Sequence, residues 1–284
     1  SNLHQFNHKI SKLRLGENVA IAEFSPSTQE SLGCLVMMIE KRAIVTGVSR
    51  GIGLAICQQL VSEQFKVYGT YNTGSAEAKL LKQELGDRVE LYQVNFADRT
   101  QTLSFIDKMK EFTFNALVNN AGIIEFENFQ EFDVGIWDRT IEVNLTATLL
   151  LSQGLQSAIC DGGSIVNITS TDAMTGSFAS ISYAVSKAAQ ENLTKSLSNN
   201  LGSRNIRVNA IAPGWIDTSM STQASMDAVA LTPLARNGQP EEIAKVTSFL
   251  ISDAASFITG ATIIVDGGYT NVDYILLKES QGEQ

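Results

Sequence analysis

From residue 42 onward, short runs of aliphatic and β-branched residues alternate with longer stretches in which apolar positions recur every three or four residues. The short runs predict strands at 42–46, 66–71, 89–94, 116–118, 164–168, 206–211 and 262–265. The longer pattern predicts helices near 52–64, 75–85, 100–111, 134–158, 182–201 and 240–253. Alternation of this kind implies a parallel sheet with helices on both faces. The expected fold class is therefore α/β: a single doubly wound parallel sheet of about seven strands. Right-handed crossovers place the C-terminal ends of the strands, and with them the ligand crevice, along one edge. Residues 1–37 stand outside this pattern. They contain Lys9, Lys12 and Arg14 but no apolar run of the kind a secretory signal needs. We read 1–37 as an N-terminal extension (a cloning remnant, an overlong start or a dispensable, unordered arm) and 38–284 as the domain.

Glycines and polar residues interrupt the pattern at the expected strand ends. After Ala43–Val45 comes Thr46-Gly47-Val48-Ser49-Arg50-Gly51-Ile52-Gly53, and a helical pattern starts at Leu54. Strand, glycine turn and helix in that order make a phosphate cradle of the Rossmann type. The glycines admit close backbone approach, and the helix start presents free N–H groups to a pyrophosphate. The spacing is Gly-x-x-x-Gly-x-Gly, and a glycine cluster alone also serves as a plain turn. Asn119-Asn120-Ala121-Gly122 and Pro213-Gly214 follow two further strands, so all three segments are expected at the same edge.

Tyr183 and Lys187 lie four residues apart, and Ser170 lies thirteen before the tyrosine. Residues four apart on a helix share a face. A phenol titrates near ~10, and each unit of depression takes about 1.4 kcal/mol. A neighbouring ammonium supplies that by favouring the phenolate, bringing the group within reach of acid–base work near neutrality. Tyr-x-x-x-Lys by itself is often a surface pair; its upstream company distinguishes it here.

In these motifs the chain resembles the short-chain dehydrogenase/reductase family over 38–270, and within it the 3-oxoacyl-(acyl-carrier-protein) reductases. The motifs run in order from Thr46–Gly53 through Asn119–Gly122, Asn144, Ser170, Tyr183, Lys187 and Pro213-Gly214 to Phe257–Gly260 and Val265–Gly268. The resemblance implies hydride transfer between a nicotinamide and a carbonyl carbon. In that scheme Tyr183 donates the proton, Ser170 holds the oxygen, and Lys187 tunes Tyr183 and holds the ribose. Asn144 supports a water relay to the lysine, or else is a helix-kink residue packing on the backbone. Cofactor contacts are implied at Gly47, Ser49, Arg50, Gly51, Ile52, Gly53, Asn72, Asn95, Phe96, Asn120, Ala121, Gly122, Tyr183, Lys187, Pro213, Gly214, Ile216 and Thr218, with Asp98 near the adenine. A cytoplasmic homotetramer in fatty acid or polyketide biosynthesis is the family expectation. Leu149, Leu150, Leu151, Leu155, Leu193 and Leu197 are candidates for the intersubunit faces.

The second strand ends Gly69-Thr70-Tyr71-Asn72-Thr73, without the acid that grips the ribose 2′-hydroxyl of NAD. Arg50 offers a fork suited to a 2′-phosphate, or else caps the turn or meets solvent; NADP is the expected cofactor, in preference to NAD. The formal charge of −9 argues against a nucleic-acid partner, and no apolar run reaches the ~20 residues of a membrane span. Cys34, Cys57 and Cys160 are scattered and His4 and His8 lie in the extension, so no metal site is expected. The leading reading is an NADPH-dependent ketoreductase acting on a 3-oxoacyl or similar keto substrate. The alternative is an alcohol, polyol or sugar dehydrogenase working oxidatively; a non-catalytic scaffold would have no need of all four site residues. Met174, Phe178, Trp215, Met220 and Met226 are candidate pocket residues. For docking an acidic carrier, Arg204 matches one basic family position, whereas Asp161 stands near the other.

Overall fold

The structure, a computed structural model, describes residues 40–218 and 227–281. The extension at 1–37 and the pocket candidates Met220 and Met226 lie outside the described residues. Seven strands form one parallel sheet in the order β3-β2-β1-β4-β5-β6-β7. They are β1 Arg42–Val45, β2 Lys66–Tyr71, β3 Val89–Gln93, β4 Phe114–Asn119, β5 Ile159–Ile168, β6 Arg207–Pro213 and β7 Thr262–Val265. The order reverses between β1 and β4, and their following loops diverge to open a crevice at that switch point.

The strands read as near-continuous apolar runs because both of their faces are covered. Ala43, Val45, Val67, Ala116 and Val118 join one core cluster, while the intervening Ile44, Tyr68 and Leu117 join the other. The first cluster is completed by Ile56 and Leu60 of helix α1 (Gly51–Ser62), Leu81 of α2 (Ser75–Leu85), and residues of α8 (Pro240–Ile251). The second takes Phe105 and Met109 from α3 (Arg99–Met109), Leu151 from α5 (Ala147–Gly154), and Leu197 from α7 (Ile181–Leu201). The expected α/β sheet is the one observed. No helix among the described residues is long and apolar enough to cross a membrane.

Three differences from the sequence expectation stand out. The helix expected at 134–158 is α4 (Val134–Ile141), a π-helical segment at Glu142–Thr146, then α5, which stops at Gly154. In the π segment the Ala147 N–H reaches back to Glu142 O, so one residue is added to a turn without breaking the apolar stripe, and hydrophobic periodicity cannot register it. Strand β5 begins at Ile159 rather than 164, because it carries an irregularity: Phe114 pairs with Ile159 but Ala116 with Ser164. Gly162, at φ +82°, makes the excursion. Finally, a C-terminal helix α9 (Tyr274–Gln281) follows β7 where no element was expected.

Candidate active site

The glycine turn closes on itself through Thr46. Its hydroxyl accepts from the Asn120 and Ala121 N–H groups, each at 2.9 Å, which joins the loop after β1 to the loop after β4. The Asn120 amide donates back to Thr46 O at 2.9 Å and Gly47 O at 3.2 Å. A β-carbon at Gly53 would stand 2.1 Å from Gly47 O and 2.4 Å from Asn120 Nδ2, so only glycine fits. Gly47 needs its φ of +75° to make the turn. Arg50 is the N-cap of α1 in extended backbone, with no side-chain cap and no acid in the first turn. The first N–H groups of α1 therefore point from a positive helix end into the crevice. This fits a pyrophosphate: the cradle has the space, the donors and the sign of charge.

The neighbouring loops gather as expected around this cradle. A β-carbon on Gly74 would lie 3.2 Å from Ser49, which sets the Ser49–Arg50 turn beside the loop carrying Asn72. The Asn72 amide reaches Asn95 Oδ1 at 3.5 Å. Across the turn, Thr218 Cγ2 would be 3.5 Å from a β-carbon at Gly51, so the segment after Pro213-Gly214 passes over the same cradle. Gly214 is itself obligatory, because a β-carbon would stand 2.8 Å from Asp266 Cα. Ile216 is bridged to Gly238. Phe96 is 5% exposed and its ring lies in the core with Phe105, so only its backbone borders the crevice. Asp98 serves as the N-cap of α3, accepting from Thr100 N at 2.9 Å. Ile52 and Ile216 pack against the first core cluster and Ala121 against the second, so these too offer the crevice mainly backbone. A separate groove of about 470 Å³, lined by Ser75, Lys79, Lys82 and Tyr92 among others, contains none of the predicted site residues.

Ser170, Tyr183 and Lys187 come together at the end of β5 and the start of α7. The Ser170 hydroxyl lies beside the Tyr183 phenol, which it favours in the ionised form, and accepts from Asp172 N at 3.1 Å. Lys187 is buried and donates to Ile168 O at 2.8 Å, with its ammonium 5.5 Å from the Tyr183 ring centre. Burial pushes the phenol up to about 12, with nearby Asp172 acting in the same direction and Ser170 against it. Burial pulls the Lys187 ammonium down to about 8. The expected depression of the phenol by the lysine is therefore not found. The ammonium is engaged by a backbone carbonyl and faces the ring, and burial outweighs its field.

Asn144 is fully buried inside the π segment. It accepts from Ile123 N at 2.8 Å and donates to Ile123 O at 2.9 Å and Ser186 Oγ at 3.0 Å. Two further residues hold this arrangement and were missed by the sequence reading. Gln190, one turn beyond Ser186, donates to Asn144 O at 2.5 Å and to Thr148 Oγ1 at 2.9 Å. Thr148 Oγ1 also donates to Asn144 O at 2.8 Å, so that carbonyl accepts twice from the chain's own side chains. Glu127 is buried in the loop after β4 and accepts from Ser182 N at 2.9 Å and from the Ser182 hydroxyl. It caps α7 from outside, since Ser180 at the N-cap makes no capping bond of its own. The only signal for either residue was a polar side chain at an otherwise apolar helical position, or one in a loop, which has many explanations.

Arg204 does not stand at the crevice. It follows the 21-residue α7, whose other end carries Tyr183, and its guanidinium is spent on Asp161 Oδ1 at 2.8 Å, Ile159 O at 2.7 Å and Gln156 O at 2.5 Å. The two positions considered for carrier docking thus neutralise one another.

A doubly wound sheet with a glycine cradle at its switch point and a hydroxyl–phenol–ammonium group beside it defines a dinucleotide-dependent oxidoreductase site. The comparisons agree. The family described as Enoyl-(Acyl carrier protein) reductase matches residues 47–270. A 3-oxoacyl-(acyl-carrier-protein) reductase of Aquifex aeolicus is 37% identical over 240 residues, covering 80% of this chain and 96% of the relative. A short-chain dehydrogenase/reductase from Serratia marcescens superposes with a TM-score of 0.77 at 33% identity, covering 81% of this chain and 98% of its own. A blue fluorescent protein from a metagenomic library, solved with NADPH, does so with a TM-score of 0.77 at 35% identity, covering 81% and 97%. The chain belongs to the short-chain dehydrogenase/reductase family and is an oxidoreductase acting on CH–OH and C=O groups.

Proposed function

We propose that this protein is an NADPH-dependent ketoreductase that reduces the keto group of a 3-oxoacyl or similar substrate to a hydroxyl. The observation that carries the reading is the gathering of Ser170, Tyr183 and buried Lys187 beside the glycine cradle. The nicotinamide nucleotide, when bound, supplies the hydride. Ser170 then steadies the carbonyl oxygen as charge develops, and Tyr183 passes its proton to that oxygen. A phenol pushed up to about 12 rests in its protonated form at neutral pH, which suits the reductive direction, while an alkoxide is basic enough to take the proton. Lys187 and Tyr183 would hold the ribose, and Asn144 would fix the backbone beneath them. Gly47, Ser49, Gly51, Ile52 and Gly53 would take the pyrophosphate, Asn72 and Asn95 the adenosine side, and Asn120, Ala121, Gly122, Pro213, Gly214, Ile216 and Thr218 the remaining length.

The preference for NADPH rests on Arg50 at the start of α1, the absence of an acid at 71–73, and the NADPH or NADP held by similar solved structures. A relative named cis-4-hydroxycyclohexanecarboxylate dehydrogenase, 35% identical over 243 residues, supports the second reading, an alcohol dehydrogenase working oxidatively. Assembly as a homotetramer belongs to the same proposal. Leu149 and Val185, each 42% exposed on α5 and α7, are available for the contact, and a monomeric mass by light scattering would remove it. The deciding test of function is a keto-substrate panel read by NADPH and NADH consumption, against an alcohol panel read by NADP+ and NAD+ reduction. Faster reduction with NADPH is the expected result.

A further inference from the structure

The loops that leave the C-terminal ends of the strands surround the Ser170–Tyr183 pair, and their side chains describe what they admit. Three of them carry exposed apolar groups: Phe126 (74%) and Phe129 (71%) after β4, Phe178 (102%) before α7, and Trp215 (36%) after β6. The Glu127 N–H bonds Ala179 O at 2.7 Å, so the backbones bearing Phe126 and Phe178 run side by side at the start of the helix that carries Tyr183. Trp215 is buttressed on its far side by Tyr269, with ring centres 6.5 Å apart.

The charge on this edge points the same way. Among the described residues, these loops hold only two cations, Arg50 and Arg236. Arg50 belongs to the cofactor cradle, and Arg236 is held by Glu242 through contacts of 2.8 and 2.7 Å. On the helix that follows the Phe126 loop, Arg139 is held by Glu125 at 2.8 and 2.6 Å. Several acids here are engaged: Glu127 caps α7, Asp133 caps α4 through Gly135 N at 2.8 Å, and Asp266 accepts from Gly268 N at 2.9 Å. Asp172 adds a carboxyl beside Tyr183, raised by burial. The edge is thus apolar with a negative surplus, and outside the cofactor cradle it offers no free cation for a phosphate. Asp161 and Arg204 neutralise one another at the other end of α7.

Resting on the ketoreductase reading, we infer that the keto substrate is an uncharged, apolar molecule taken free from solution, and that acidic carrier proteins and coenzyme A do not deliver it. Recognition is by apolar contact with the Phe126, Phe178 and Trp215 rim. An anionic handle is disfavoured by the acidic edge.

The test compares one acyl chain in three forms: ethyl 3-oxohexanoate, 3-oxohexanoyl-coenzyme A, and 3-oxohexanoyl acyl carrier protein, each with NADPH at low and high salt. The expected result is that kcat/KM is at least about tenfold higher for the ester than for either anionic form. Salt should leave the ester unaffected and improve the other two. Phe178→Ala should raise KM for the ester severalfold with little change in kcat. A coenzyme A or carrier form that is preferred over the ester, and weakened by salt, overturns the inference while leaving the ketoreductase reading intact. NADPH consumption with none of the three, together with oxidation in an alcohol panel, overturns the ketoreductase reading and the inference with it.

Discussion

The two halves of the crevice are built by opposite means. The nucleotide half, 46–53, is a construction of absent side chains. Gly53 packs its backbone against Gly47 O where a β-carbon would stand at 2.1 Å, and the α1 N-terminus has no side-chain cap. The catalytic half is a construction of buried polar side chains drawn from distant segments. Asn144 binds Ile123 21 residues away and Ser186 42 away, and Gln190 reaches Asn144 O across 46. The first half fails by collision, the second by leaving a buried group unpaired. That difference tells which substitutions are fatal to binding and which only loosen the chemistry.

The sharpest break of the comparison is Tyr183→Phe, which removes the proton donor and leaves the cradle alone. Turnover should fall by about 10²–10⁴ with NADPH affinity near normal, measured by steady-state kinetics and fluorescence titration. A variant that kept more than about a tenth of the rate would remove Tyr183 as the acid. Gly53→Ala attacks the other half. Overpacking there should cost roughly 1–3 kcal/mol and lower both the melting temperature and NADPH affinity; unchanged values would mean that the turn relaxes freely.

Arg50→Ala sharpens the comparison within the nucleotide half. A charge-assisted contact to the 2′-phosphate is worth roughly 1.5–3 kcal/mol, so NADPH affinity should drop about ten- to a hundredfold while NADH affinity stays. Equal affinity of the wild type for both nucleotides, with a neutral Arg50→Ala, would favour the oxidative dehydrogenase. Gln190→Leu tests the catalytic network more gently, since Thr148 Oγ1 still serves Asn144 O at 2.8 Å. A loss of about 1 kcal/mol in stability and a severalfold fall in kcat without change in KM are expected, with partial rescue by Gln190→Asn. A pure stability loss at constant kcat would confine Gln190 to packing.

A further effect, on stability rather than turnover, is in pH. Folding lowers the Lys187 ammonium from its ordinary 10.5 to about 8. Between those values the unfolded chain holds a proton that the folded chain has released, so stability rises with pH. Tyr183 acts the other way. Its folded value of about 12 lies above the ordinary 10, so stability is lost as pH rises through that interval. Urea unfolding across about pH 8–10 should show a rise that Lys187→Met flattens. A slope identical in wild type and variant would mean that the lysine is solvated.

How far each half could be read from the chain follows from its construction. Thr46–Gly53 is contiguous, and glycine is dictated locally by a turn and a close approach, so its spacing between a strand and a helix, with the motifs downstream, marked the cradle. Tyr183 and Lys187 were legible because helical periodicity fixes their relative position. Phe96 was assigned to the cofactor by its resemblance to a family position, and its ring belongs to the core, because side-chain direction at a strand end is set by packing. Helix 134–158 was expected whole, since a π turn preserves the apolar stripe while rotating Asn144 inward. The pKa directions were beyond reach as well, because burial depends on everything that packs around a group.

The sequence by itself determined the succession of strands and helices along the chain, the place of the glycine turn after β1, and the helical spacing of Tyr183 and Lys187. Those are properties of local spacing. Only the tertiary structure decided that Gln190 and Thr148 occupy the Asn144 carbonyl, that Glu127 caps the helix of Tyr183, and that Arg204 is spent on Asp161. Each joins segments from 43 to 55 residues apart, apart from the local Thr148 bond. A hydrogen bond of that span exists because the core brings its ends together, and periodicity carries no record of it.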